Sequence, residues 1–157
     1  NQSTKENIQN LLSYRKDCRK YGIKFYVANN ISLLSKLKAD GLYISSHNKK
    51  LLLNSYLRKG FDIIGSAHNI REVDIKLRQG CKIIIYSRLF KTNYLYKKGY
   101  LGIIKFNILS LRTKVKLVPL GGINYKNLCK LNIVNSDSFA CLSAIKKKPA
   151  KIINRLF

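Results

Sequence analysis

The sequence predicts an α/β fold built on a parallel β-sheet, in which short strands alternate with helices. Nearly all-apolar runs of four to six residues recur along the chain, as is typical of strands that are covered on both faces. Amphipathic helical patterns lie between these runs, and short connections of this kind require right-handed crossovers. A (β/α)8 barrel and a doubly wound open sheet both satisfy this pattern. The predicted strands are residues 23–28, 41–45, 61–66, 82–87, 116–120 and 138–142.

The first helical segment precedes the first strand. Ser3 followed by Glu6 is the pattern of a capping box, and Gly22 is a suitable stop. One apolar stripe between these signals predicts the buried side of the helix. The stripe consists of Ile8, Leu11, Leu12 and Cys18.

A second helix is predicted between the third and fourth strands. Asn69 is the expected N-cap, Glu72 follows three residues later, and Gly80 marks the end. The residues expected to face the sheet are Ile70, Val73 and Leu77. Weaker helical patterns cover residues 49–58, 101–112, 124–131 and 149–156.

The composition indicates one globular domain over residues 1–157 and an anionic partner. The chain is 46% hydrophobic, and 31 Lys and Arg against 7 acidic residues give a formal charge of +24. Such a charge favours phosphorylated metabolites, nucleic acid or a membrane surface. The longest basic run is only Lys146 to Lys148, and no nucleic-acid-binding motif is recognisable, so nucleic acid is not the leading expectation. No apolar run reaches the length of a membrane span, which disfavours a membrane protein.

The cysteines indicate a reducing environment. Four cysteines lie far apart in the chain, without C-x-x-C spacing, in or beside apolar segments. We therefore expect reduced, buried thiols in a cytoplasmic protein. The chain contains no Met, so we also expect it to be an incomplete copy of the gene product.

Small polar residues follow the predicted strands, and the carboxyl ends of parallel strands are where α/β folds bind their ligands. Gly121 and Gly122 would let a phosphate approach backbone N–H groups, and a helix starting at Asn124 would add its positive end. Ser143 follows the next strand and could contribute to the same site. This pattern suits an anion better than a bare metal ion.

Taken in order, the strand ends resemble the thiamine phosphate synthase and thiazole tautomerase superfamily over essentially the whole chain. The matching segments are "YVANN", "ADGLYISSHN", "IIGSAHNIRE", "SRLFKT", "VPLGGIN" and "CLSAI". The resemblance implies a (β/α)8 TIM barrel. It also implies that the first one to two strands of the barrel are missing from this chain.

The synthase of this superfamily joins hydroxymethylpyrimidine diphosphate to thiazole phosphate with loss of pyrophosphate. By position, the resemblance implies that Asn29 and Ser66 contact the pyrimidine diphosphate. It further implies that the thiazole phosphate is held by Thr92, Gly122, Leu142 and Ser143. Ser66 and His68 are the candidate catalytic residues.

Several positions depart from the synthase pattern. Asn30 and Asn48 stand where the pattern has two Mg²⁺-binding aspartates, and an amide does not replace the charge of a carboxylate. Binding of Mg²⁺ is therefore doubtful. In the T-x-T-K loop, Tyr94 and Leu95 replace the second Thr and the Lys. A cation could instead come from Lys91, Lys97 or Lys98.

Four functions remain open, and the first is a thiamine phosphate synthase impaired by the loss of its metal-binding carboxylates. The second is a thiazole phosphate tautomerase that uses His68 as its acid and base, since imidazole exchanges protons near neutral pH. The third is a non-catalytic binder of phosphorylated ligands. The fourth is nucleic-acid binding driven by charge alone.

Overall fold

A computed structural model of the chain describes residues 2–50, 60–92 and 99–147. The strands are β1 (Tyr26–Ala28), β2 (Gly41–Ile44), β3 (Asp62–Ala67), β4 (Ile83–Ser87) and β5 (Lys116–Leu120). The α-helices are α1 (Gln2–Lys20), α2 (Ile31–Lys36), α3 (Ile70–Arg78), α4 (Ile103–Arg112) and α5 (Ser143–Lys147). A 3₁₀ helix covers Leu128–Ile133. None of the helices among the described residues is long and apolar enough to cross a membrane.

The five strands form one parallel sheet in the order β1-β2-β3-β4-β5. This order excludes a doubly wound sheet, in which the strand order reverses at a switch point. Consecutive parallel strands joined by right-handed crossovers carry their helices on one face, as in a (β/α)8 barrel. The predicted α/β fold of barrel type is therefore confirmed. That residues 1–157 make up a single domain stays a prediction.

The sixth predicted strand, residues 138–142, is the exception. Only Ala140 pairs with the sheet, through an isolated parallel bridge to Leu120, and its N–H donates to the carbonyl of Pro119 at 2.9 Å. The hydroxyl of Ser136 lies 2.8 Å from the carbonyls of both Leu117 and Ser138. These contacts hold the approach to Ala140 in a loop, so the apolar run does not extend into a strand.

The main core lies between the sheet and its helices. Alternate residues of β2 to β5 point toward this layer and are almost fully buried, because side chains of a strand alternate between its two faces. They include Leu42, Ile44, Ile63, Ala67, Ile84, Tyr86 and Leu117, and they pack with Val73, Phe106 and Leu109 from the helices. A smaller cluster joins β1 to α2 and α1 through Val27, Leu34, Leu37 and Ala39, with Ile8 and Leu11 against it.

The helix α3 confirms the predicted cap and one of the three residues predicted to face the sheet. The side chain of Asn69 accepts from the N–H of Glu72 at 2.9 Å, and Glu72 accepts from the Asn69 amide at 2.9 Å. Ile70 and Leu77 are 61% and 38% exposed, so the prediction that they face the sheet is wrong. Val73 is buried as predicted, and the other buried residue of the helix is Lys76.

The capping box predicted at the start of α1 is wrong, whereas its predicted end is confirmed. Ser3 lies inside α1, which already includes Gln2, whereas an N-cap residue has extended backbone. The predicted stop of α1 is confirmed, because Gly22 has a φ of 64° and the N–H of Ile23 bonds back to Cys18. Most of the segment 49–58 and all of 149–156 lie outside the described residues.

The helix predicted over residues 124–131 starts later, as the 3₁₀ helix at Leu128. The side chains of Asn124 and Asn127 both donate to the carbonyl of Gly122, at 3.0 and 2.8 Å. The Asn127 side chain also accepts from the N–H of Asn124 at 2.8 Å. Asparagine side chains that bond the local backbone in this way compete with helix formation. A turn stabilised by asparagine side chains therefore stands where the helix was expected to start, at Asn124.

Candidate functional site

A cavity of about 630 Å³ lies at the carboxyl ends of β3, β4 and β5. It gathers six of the residues predicted from the strand ends, which are His68, Thr92, Gly121, Gly122, Leu142 and Ser143. The other residues that line it are Tyr86, Ser87, Arg88, Gly99, Tyr100, Leu101 and Leu120. None of these lining residues is acidic, so the described wall of the cavity favours an anion over a cation.

Gly121 and Gly122 form the part of the wall that follows β5. Their φ angles are 102° and 71°, in a region that favours glycine. A Cβ on Gly122 would lie 2.6 Å from the Lys91 carbonyl oxygen and 2.7 Å from the Phe90 carbonyl carbon. The two glycines therefore allow the loop after β4 to approach the loop after β5 at the rim of the cavity.

His68 is held in place by three contacts as it leaves β3. Its N–H donates to Glu72 Oε2 at 2.7 Å, and its carbonyl accepts from the Tyr86 hydroxyl at 3.2 Å. Its ring atom Nδ1 lies 2.7 Å from Ser87 Oγ. The pairing of Ala67 with Tyr86 in the sheet explains this contact, because it brings the two following residues side by side. The sequence places Ser87 among the polar residues at the strand ends, but it does not predict the contact with His68, which depends on the register of β3 against β4.

Arg88 is the only lysine or arginine among the described residues that line the cavity. Its Nη1 donates to Thr92 Oγ1 at 3.2 Å. Lys91, one of the three lysines that could supply the cation of the T-x-T-K loop, is exposed and does not line the cavity. The other residues predicted for that loop, Tyr94, Leu95, Lys97 and Lys98, lie outside the described residues.

Four predicted site residues do not line the cavity. Ser66 is 8% exposed within β3, where it pairs with Ile85. Asn29, Asn30 and Asn48 lie at the ends of β1 and β2. The cavity contains the residues expected to bind the thiazole phosphate, whereas Ser66 and Asn29 are expected to contact the pyrimidine diphosphate. That these two residues contact a ligand stays a prediction.

The asparagines beyond β1 and β2 form a cluster of amide hydrogen bonds. The Asn29 side chain accepts from the Ser45 N–H at 3.0 Å and from Asn48 Nδ2 at 3.2 Å, and it donates to Ser45 Oγ at 3.1 Å. Asn30 instead caps α2, because its Oδ1 accepts from the N–H of Leu33 and the hydroxyl of Ser32.

These residues do not fit a Mg²⁺ ion. Magnesium favours one or two carboxylates, whereas Asn30 and Asn48 are neutral. Both side-chain oxygens already accept hydrogen bonds, at Asn30 from the start of α2 and at Asn48 from the N–H of Lys50 at 3.1 Å. Among the described residues, no three His, Cys, Asp or Glu side chains form a cluster that could hold a metal ion.

Lys76, on the buried side of α3, stabilises the loop that follows β2. Its side chain is fully buried, and Nζ donates to the carbonyls of Ser45 and Asn48 at 2.7 Å each and to Gln79 Oε1 at 2.9 Å. Gln79 completes the contact by donating to the carbonyls of Asn48 and Lys50. Burial lowers the pKa of Lys76, while three acceptors match the three N–H groups of an ammonium.

The cysteines were predicted to be reduced and buried. All four are free thiols, but only Cys81 is buried, and Cys129 is exposed. The prediction of burial is therefore wrong for Cys129, which lies on the 3₁₀ helix beyond β5. Burial raises the pKa of the Cys81 thiol to about 11.

Comparison with known proteins agrees with this architecture. A thiamine-phosphate synthase from Prochlorococcus marinus is 27% identical over 129 residues, a match that covers 82% of this chain and 37% of that protein. One from Methanococcus vannielii is 24% identical over 143 residues, covering 91% of this chain and 69% of the relative. The chain thus spans little more than a third of the first of these relatives.

Among solved structures, a thiamine phosphate pyrophosphorylase from Pyrococcus furiosus superposes with a TM-score of 0.75 at 16% identity. The superposition covers 96% of this chain and 76% of that one, and it shows a shared fold. A family model described as thiamine monophosphate synthase matches residues 1–145. Because that match extends over nearly the whole sequence, the chain belongs to the thiamine monophosphate synthase family.

Proposed function

We propose that this chain acts as a transferase of the thiamine phosphate synthase type, which couples hydroxymethylpyrimidine diphosphate to thiazole phosphate with loss of pyrophosphate. The observation that carries the proposal is the cavity at the ends of β3 to β5, in a chain of this family. Thr92, Gly122, Leu142 and Ser143, the positions expected to bind thiazole phosphate, all line that cavity.

The cavity's chemistry supports a phosphorylated ligand. Its described wall combines hydroxyl groups, three glycines and one guanidinium without any carboxylate. Hydrogen bonds from such groups to a phosphoryl oxygen are strengthened by the ligand's charge. The proposal includes a cytoplasmic location, which the four free cysteines support.

No step of this proposal depends on a magnesium ion held by the protein, because Asn30 and Asn48 do not fit one. Any Mg²⁺ in the reaction would then enter with the diphosphate of the substrate, where the phosphate oxygens supply its ligands. We expect the dependence of the rate on Mg²⁺ to follow the concentration of the substrate–metal complex.

The direct test is to incubate the full-length protein with both phosphorylated precursors, with and without Mg²⁺. Thiamine phosphate and pyrophosphate are then measured by mass spectrometry and by a pyrophosphate assay. Equal amounts of the two products support the proposal. Absence of thiamine phosphate under both conditions rejects it.

A second candidate function is the isomerisation of a thiazole phosphate. The contact of 2.7 Å between His68 Nδ1 and Ser87 Oγ favours it, because both side chains line the cavity. A paired imidazole and hydroxyl can take a proton from one ligand carbon and return it to another. NMR in heavy water tests this function, since proton transfer through solvent would introduce deuterium into the thiazole. Loss of that exchange in His68→Gln would support the assignment, and unchanged exchange would reject it.

A further inference from the structure

The cavity raises the question of which group neutralises a bound phosphoryl group. Thr92, Ser143 and the two glycines offer neutral donors, and the described wall includes a single permanently charged side chain, Arg88. An anion enclosed among neutral donors binds more weakly than one that also meets a cation.

Arg88 leaves the sheet from a well-anchored position. Its carbonyl accepts from the N–H of Leu101 at 2.9 Å. A Cβ on Gly121 would lie 3.0 Å from both Cβ and Cγ of Arg88, so the stem of the arginine lies directly against that glycine. The guanidinium therefore extends from a fixed base beside the Gly121–Gly122 backbone.

The far end of the side chain is also oriented within the site. Nη1 donates to the hydroxyl of Thr92 at 3.2 Å, and Thr92 lines the same cavity. A guanidinium carries five N–H donors in a planar fork that matches phosphate oxygens. Contact with Thr92 is thus compatible with contact to a phosphoryl group.

We propose that Arg88 determines the specificity of this cavity for a phosphorylated thiazole over its unphosphorylated alcohol. The inference rests on the proposed function for the identity of the ligand, and it adds the residue that reads the phosphoryl charge. Thr92 orients the guanidinium, and the absence of side chains at Gly121 and Gly122 leaves room for the stem and the neighbouring loop.

The test measures binding of thiazole phosphate and of the corresponding thiazole alcohol by calorimetry to wild type, Arg88→Gln and Arg78→Gln. Arg78 is the matched control, because it loses the same charge from the exposed end of α3 and does not line the cavity. We expect Arg88→Gln to weaken binding of the phosphate about 30- to 100-fold and that of the alcohol less than about 2-fold. Arg78→Gln should leave the affinities for both ligands within about 2-fold.

Equal losses for both ligands in Arg88→Gln would mean that the substitution disturbs the cavity as a whole, and would overturn the inference. Unchanged phosphate affinity would overturn it too. Arg88→Lys keeps the charge without the planar fork and serves if the Gln variant does not fold. A selective phosphate loss of about 3- to 10-fold is then expected, and no selective loss counts against Arg88.

Measuring ligand binding and product formation side by side separates this inference from the proposed function. Selective binding of thiazole phosphate through Arg88 without formation of thiamine phosphate keeps the inference and rejects the synthase. Formation of thiamine phosphate by Arg88→Gln with an unchanged KM for thiazole phosphate does the reverse. Absence of binding of either ligand to wild type rejects both.

Discussion

Replacing Lys76 by Met should destabilise the fold, although methionine has a similar length and fills the buried space. Gln79 Oε1 loses its ammonium donor, whereas the Ser45 carbonyl keeps its bond from the Asn48 N–H at 3.1 Å and the Asn48 carbonyl keeps its bond from Gln79 Nε2. A buried polar group that loses its partner costs about 1–3 kcal/mol. The variant regains part of the cost of burying a charge. The net loss in free energy of unfolding should be about 1–2 kcal/mol.

Urea unfolding followed by far-ultraviolet circular dichroism measures this loss, with Lys105→Met as the control. Lys105 is exposed on α4, so its substitution should change the free energy of unfolding by less than about 0.5 kcal/mol. If Lys76→Met proved as stable as wild type, the three hydrogen bonds would not exceed the cost of burying the ammonium. The assignment of Lys76 as the residue that secures the loop after β2 would then be refuted.

Three further predictions concern single positions. Gly122→Ala should lower the free energy of unfolding in urea by at least about 2 kcal/mol more than Gly22→Ala does. Both glycines have positive φ, but only at Gly122 would the added Cβ meet neighbouring backbone. Equal losses in the two variants would exclude a packing role for Gly122. Asn69→Ala should lower the free energy of unfolding by about 1 kcal/mol through loss of the α3 cap, and calorimetric melting showing no change would contradict that cap. Iodoacetamide near pH 8 should label Cys129 in the native protein but Cys81 only after unfolding, as judged by mass spectrometry, because burial raises the pKa of the Cys81 thiol to about 11. A raised pKa favours the protonated folded state, so the contribution of Cys81 to stability should persist below about pH 9 and decline as the pH rises toward 11; native labelling of Cys81 would refute its burial.

The features that the sequence predicts well are those that depend on neighbouring residues. Five apolar runs became parallel strands, and Asn69 with Glu72 formed the expected cap, because both signals act over a few residues. The run at 138–142 carries the same apolar signal as the others. Only Ala140 pairs, because the Ser136 hydroxyl lies 2.8 Å from the carbonyls of Leu117 and Ser138 and holds the preceding segment in a loop.

Features that depend on distant contacts could not be predicted in this way. Lys76 lies on the same side of α3 as Val73, where a periodic pattern would call for an apolar residue. Its burial follows from oxygens that the chain brings from about 30 positions away, at Ser45 and Asn48. The contact between His68 and Ser87 likewise requires the register of β3 against β4.

The two asparagines at the expected metal positions differ in what an aspartate would do there. At Asn30, a carboxylate could accept the same bonds from Leu33 and Ser32, since aspartate caps helices as well as asparagine does. At Asn48, the side-chain Nδ2 amide donates a hydrogen bond to Asn29 Oδ1. An ionised carboxylate has no proton to donate. Aspartate at position 48 would set two acceptors against each other at the end of β2. The amide at Asn48 is therefore needed by the hydrogen bonds around Asn29, so the absence of the expected carboxylate at this position is coupled to the local structure of the loop.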